Sequence, residues 1–302
     1  MTLTVEDVAD NADAAPNRPT AEHHEPAHRP QWWRYLLLGA GALVFVFPFY
    51  YMLVGSFADH TDGSLKGLIP GAQGFTFANY TDINRAIALG RSLLNSLIFT
   101  AGVLVCTLVF GTMAGYALAR LRFRGRGVLF ALLLLVQAIP FQLLIIPMYV
   151  LVARDYGLSD SYLGMIAPYA INSVAVFVFR QYFLQLPEEL FEAARIDGAT
   201  EWRILWSIAI PMVRPALLTG ALLTFIGPWN EFLWPFLVTK KQTMQPLAVS
   251  LSNYITATSA AADNPFGTIL AGACVLAVPV LVLFVVFQRW FVNTGIGSGV
   301  KG

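Results

Sequence analysis

Five charged residues crowd one short stretch of a mostly apolar chain. They are Glu192, Arg195, Asp197, Glu201 and Arg203, within EAARIDGATEWRILWSIAIP at 192–211. Such a cluster could serve catalysis, hold a phosphate or metal, or dock a partner through charge-assisted hydrogen bonds. The first two need companion groups that the sequence lacks. It has no G-x-x-x-x-G-K-[ST] loop for nucleotide phosphates, no H-E-x-x-H zinc motif and no G-x-S-x-G elbow. No catalytic or metal-binding residue is therefore expected, and docking remains.

Two short helices should present these charges. Pro187 suits the first helical position, and Glu188 and Glu189 suit the positive end of the macrodipole. Gly198 reads as a stop in the left-handed conformation. A second helix is expected from about Thr200 to Ile210, with Pro211 leading into the next element. Trp202, Leu205, Trp206 and Ala209 recur at i, i+3, i+4 and i+7, a face that could anchor this helix to a bundle. Thr200, Arg203 and Ser207 lie on another face. A helix lying flat on a membrane would explain the tryptophans. It would not explain Glu188, Glu189, Glu192 and Asp197, which would then face anionic lipid.

The surrounding elements are membrane spans. Of 302 residues, 57% are hydrophobic and 12% charged, and the mean hydropathy is +0.62. A soluble domain carries about 25% charged residues. The fold class is all-α, a polytopic membrane protein with spans near 35–57, 92–119, 128–152, 162–184, 213–238 and 267–288. Pro140, Pro147, Pro168, Pro215, Pro228, Pro235 and Pro279 predict kinks. Gly111 and Gly115, with the small runs 219–221 and 271–273, predict close packing of spans on each other or on another subunit. Cys106 and Cys274 lie in separate apolar runs and read as small buried hydrophobes. Residues 1–31 are too polar to build a core and are expected to be a disordered tail, with His23, His24 and His28 part of it; 32–302 is expected to be one transmembrane domain.

With the N-terminus inside, thirteen of the 19 basic residues fall on the inner side, including Arg120, Arg122, Arg124 and Arg126 in one short loop. That satisfies the positive-inside rule and puts both termini and 187–211 in the cytoplasm. A net charge of +1 gives nucleic-acid binding no electrostatic support.

Polar groups within the spans are few. Asn230, Glu231 and Gln137 are candidates to line a path for solute, with Gln142 and Asn172 as further polar groups. A charge at mid-membrane costs roughly 2.5–3.5 kcal/mol, and less near the outer end beside Pro228, where Glu231 sits. Asn230 and Glu231 could hydrogen-bond hydroxyls of a solute, satisfy backbone groups freed at the kink, or pair with a second subunit. Gln137, Gln142 and Asn172 could equally be helix-packing hydrogen bonds. An ion-gradient-driven secondary transporter, the alternative reading, usually carries paired ionisable residues at mid-membrane; only Glu231 sits clearly within a span.

Glu192-Ala193-Ala194, Gly198, and Ile208, Ile210 and Pro211 resemble the EAA signature of bacterial ABC importer permeases: EAA, three residues, Gly, nine residues, then Ile-x-Leu-Pro. Ile210 in place of Leu is the one departure. IPFQLLIIPMY (139–149), FRQYFLQLPEELFEAARIDGAT (179–200) and WNEFLWP (229–235) extend the resemblance to the maltose-type sugar permeases over most of 35–302. The resemblance implies a permease subunit of an ATP-driven, binding-protein-dependent importer of a sugar, a di- or oligosaccharide. It further implies that Glu192, Ala193, Ala194, Asp197 and Gly198 couple the chain to a dimeric cytoplasmic ATPase that binds ATP and Mg. A second, non-identical permease and an extracytoplasmic solute-binding protein complete the assembly in a bacterial cytoplasmic membrane. Loop 58–91 or 239–266 is expected to meet the binding protein. The tail GIGSGVKG (295–302) resembles the family's Gly- and Lys-containing terminus less closely.

Overall fold

The computed structural model describes residues 32–61, 69–258 and 263–296. The tail expected at 1–31, the last residues 297–302 and parts of both long polar loops lie outside them. Residues 1–48 and 49–302 form two units. The helix α1 (Trp32–Ser56) crosses that boundary and is apolar and long enough to span a bilayer, as are α3 (Leu89–Arg120) and the apolar part of α13 (Pro265–Ile296).

Three other expected spans are bent or broken. α4 (Arg126–Gln137) and α5 (Phe141–Asp155) meet at 94°. Pro140 supplies no N–H and disfavours a helical residue before it, and the expected span over 128–152 breaks there. α6 (Tyr162–Tyr169) and α7 (Ser173–Gln185) meet at 49° across the three residues that follow Pro168 and Tyr169. The fifth span is α10 (Arg214–Asn230), interrupted at Glu231 and Phe232 and resumed in α11 (Leu233–Val238). Before it, α9 (Glu201–Met212) leaves at 79°. Because α9 carries Glu201 and Arg203, α10 with α11 is the crossing element.

Phe179 of α7 organises the packing beneath the charged segment. It is 1% exposed. A Cβ on Gly115 would come within 2.9 Å of the Phe179 Cβ, and one on Gly220 within 2.6 Å of its ring. Gly115 and Gly220 therefore seat α7 against α3 and α10 within this chain, whereas Gly272 faces Leu251 and Ile83. Tyr116, Phe183, Phe191, Ile204 and Ala209 continue the same core.

Candidate functional site

The helix α8 (Glu188–Ile196) begins after Pro187, with Glu188 and Glu189 in its first turn. Its end is a Schellman motif. Ala199 N–H donates to the Ala194 carbonyl at 2.9 Å and Gly198 N–H to the Arg195 carbonyl at 3.0 Å. Gly198 has φ +79°, and a Cβ there would meet nothing within 4 Å. Glycine is needed at this turn for its backbone conformation, not for space. Thr200 then caps α9 by accepting from the Arg203 N–H at 3.4 Å.

One face of α8 is locked down. Phe191 is fully buried and Ala194 is 8% exposed. The Arg120 guanidinium lies 4.4 Å from the centre of the Phe191 ring. It also donates to the carbonyls of Phe183 and Leu186, tying the end of α3 to the end of α7. The other face is bare. Glu192, Ala193 and Asp197 are exposed, and Ile196 is 85% exposed. Glu192 makes none of the ion pairs among the described residues. It borders an open groove of about 550 Å³ together with Arg120, Arg122, Glu188, Arg195 and Glu201.

The bend is stapled by an ion pair. Arg195 Nε donates to Glu201 Oε1 at 2.8 Å, and the Tyr116 hydroxyl donates to Oε2 at 2.6 Å. Burial pushes the Glu201 pKa up, but the hydrogen bonds from Arg195 and Tyr116 and the Arg195 charge outweigh it and hold it below its ordinary value. The hydrogen bond to Glu201 leads in raising Arg195.

The tryptophan face corrects the expectation that it anchors α9. Trp202 and Trp206 are about half exposed, whereas Ile204, Leu205 and Ala209 are buried. A π-helical turn at Leu205–Ala209 rotates the register. Pro211 has no N–H to return to the carbonyl four residues earlier, which favours such a turn.

The polar candidates in the spans are not gathered in one place. Gln137 and Gln142 are exposed at either side of the 94° bend. Asn172 caps α7, its Oδ1 accepting from the Ala175 N–H at 3.1 Å. Asn230 is exposed and donates to the Ile226 carbonyl at 2.9 Å. Glu231 Oε1 accepts from the N–H groups of Leu233 and Trp234 at 3.0 and 3.4 Å, capping α11 after the break. Sequence reasoning missed the Arg195–Glu201 staple, Tyr116 and the anchoring by Arg120. The signal available for the staple was opposite charges flanking a glycine bend.

Residues 107–293 match the family described as binding-protein-dependent transport system inner membrane component. The chain belongs to this family. It is 36% identical over 264 residues to the arabinooligosaccharides transport system permease protein AraQ of Halalkalibacterium halodurans, covering 86% of this chain and 93% of that one. It is 31% identical over 267 residues to the sn-glycerol-3-phosphate transport system permease protein UgpE of Yersinia pestis bv. Antiqua, covering 86% and 93%. Its fold matches a chain of a bacterial ABC transporter involved in the import of the acidic polysaccharide alginate, with a TM-score of 0.76, 27% identity and coverage of 86% of this chain and 95% of that one. A binding-protein-dependent permease is a multi-pass membrane subunit and not itself an enzyme, and the ion-gradient-driven alternative falls away.

Proposed function

We propose that this permease serves an ATP-driven importer of a neutral di- or oligosaccharide and that α8 is its coupling helix. The observation that carries the proposal is the two-sided build of α8. One side is fixed to the bundle through Phe191 and Ala194, while the other offers Glu192, Ala193, Ile196 and Asp197 unpacked. A helix held this rigidly transmits a push from a partner to α3, α7 and α9 together. The partner in this reading is a dimeric ATPase that holds ATP and Mg on the cytoplasmic side, and the positive-inside bias of the basic loop 120–126 supports α8 facing that side. A second, non-identical permease and an external solute-binding protein complete the importer, the latter met by loop 58–91 or 239–266.

The arabinooligosaccharides relative and the alginate importer support a saccharide as the cargo. Asn230, exposed, and Glu231, partly so, support a neutral cargo in this reading, because on a solute path they would suit hydroxyls and repel carboxylates or phosphates. The test is uptake into proteoliposomes holding this chain with its operon-encoded partners and binding protein. Uptake of a neutral oligosaccharide that requires ATP is expected. Uptake driven by an ion gradient without ATP, or confined to anionic solutes, would refute the proposal.

A further inference from the structure

We infer that this permease carries a site for one anionic phospholipid of the cytoplasmic leaflet, between α3 and α10. A groove of about 350 Å³ runs along Leu108, Met113, Leu217, Leu218 and Ala221, walls that are almost wholly apolar. Arg214 and Trp206 also line it. The volume and apolar lining suit part of an acyl chain, and the exposed Arg214 side chain suits a phosphate.

Three observations support that occupant. Arg214 is exposed and makes none of the ion pairs among the described residues, although it adjoins apolar walls. It is also the first residue of the 17-residue helix α10, whose dipole adds to its positive charge. A neutral hydrocarbon would leave the guanidinium without a counter-charge; a phosphodiester supplies one. Half-exposed Trp206 fits the interfacial depth at which indoles settle.

The groove is also separate from the solute candidates. By helical periodicity, Leu217, Leu218 and Ala221 fall on the side of α10 opposite Leu223 and Asn230. The cytoplasmic placement rests on the orientation proposed above, but the lipid chemistry does not.

The test is native mass spectrometry of the detergent-purified importer complex titrated with phosphatidylglycerol or phosphatidylcholine of identical chains. Wild type should retain phosphatidylglycerol about fivefold better, the effect expected of one basic residue near a lipid surface. Arg214→Gln should abolish that preference and Leu218→Trp should reduce retention of both lipids, whereas Arg203→Gln should change neither. Glycerol phosphate without acyl chains should not compete. Equal retention of the two lipids by wild type, an unchanged preference in Arg214→Gln, or competition by glycerol phosphate would overturn the inference. So would cross-linking of Leu218→Cys to the second permease, which would show a protein covering the groove. Retention of lipid charge preference does not depend on transport, so its failure and failure of the sugar-import proposal are distinguishable.

Discussion

Gly198 and the Arg195–Glu201 pair set the shape of the turn from opposite directions. The glycine permits a left-handed residue, and the ion pair with Tyr116 holds the two helices at the angle that results. A residue with a Cβ loses about 1–2 kcal/mol in this conformation, Asn less than β-branched Val. Gly198→Val should therefore impair ATPase-coupled transport strongly and Gly198→Asn mildly, at equal membrane levels. Similar losses in both would mean that something other than the backbone angle matters there. The ion pair is partly exposed on both sides, so its contribution should be small. Its pH dependence has a definite sign. Glu201 has a folded pKa below its ordinary 4.5, so the stabilisation is complete above about that pH and is lost as pH falls through the depressed value. Thermal midpoints of wild type and Glu201→Gln should differ at pH 7 and converge in strong acid; a gap that widens on acidification would contradict this. Much of this residue-level detail was hidden in the sequence. The glycine turn and the proline start were legible because each acts through its own backbone, whereas Tyr116 reaches Glu201 only through the fold.

At the scale of elements, α8 is held by a small number of contacts, of which Phe191 beneath Arg120 is central. Truncating a buried phenylalanine typically costs about 3–5 kcal/mol. Phe191→Ala should release α8, seen as faster proteolysis within 187–200 while the membrane-embedded remainder stays protected. Protection equal to wild type would show that α8 does not depend on this anchor. Helix α9 shows why periodicity alone misled. Trp202, Leu205, Trp206 and Ala209 share a face only if the helix keeps 3.6 residues per turn throughout, and the π-helical turn before Pro211 breaks that assumption. The bent spans teach a related lesson. Pro140 announced a kink, but its 94° angle depends on how α4 and α5 pack, which no proline reports by itself.

The whole molecule leaves conspicuous apolar surface unpacked. None of the residues of α4 is buried, and Leu129, Leu132 and Leu135 are each more than half exposed. Lipid covers part of such a surface, and the proposed second permease covers the rest. The chain expressed without its partners should therefore be degraded faster or aggregate in detergent, which chase experiments and size-exclusion profiles would show. The spans, the charged segment at 187–211 and the family were readable from composition and from one motif, because bilayer thickness and the EAA spacing constrain sequence directly. The central claim is that α8 transmits ATPase closure. The measurement that tests it most directly is ATPase stimulation by loaded binding protein, together with transport, in membranes with equal levels of wild type and Glu192→Lys. Glu192 is exposed and makes no ion pair among the described residues, so its reversal should leave insertion and folding intact while stimulation and transport are lost. Wild-type stimulation and transport in Glu192→Lys would contradict the account.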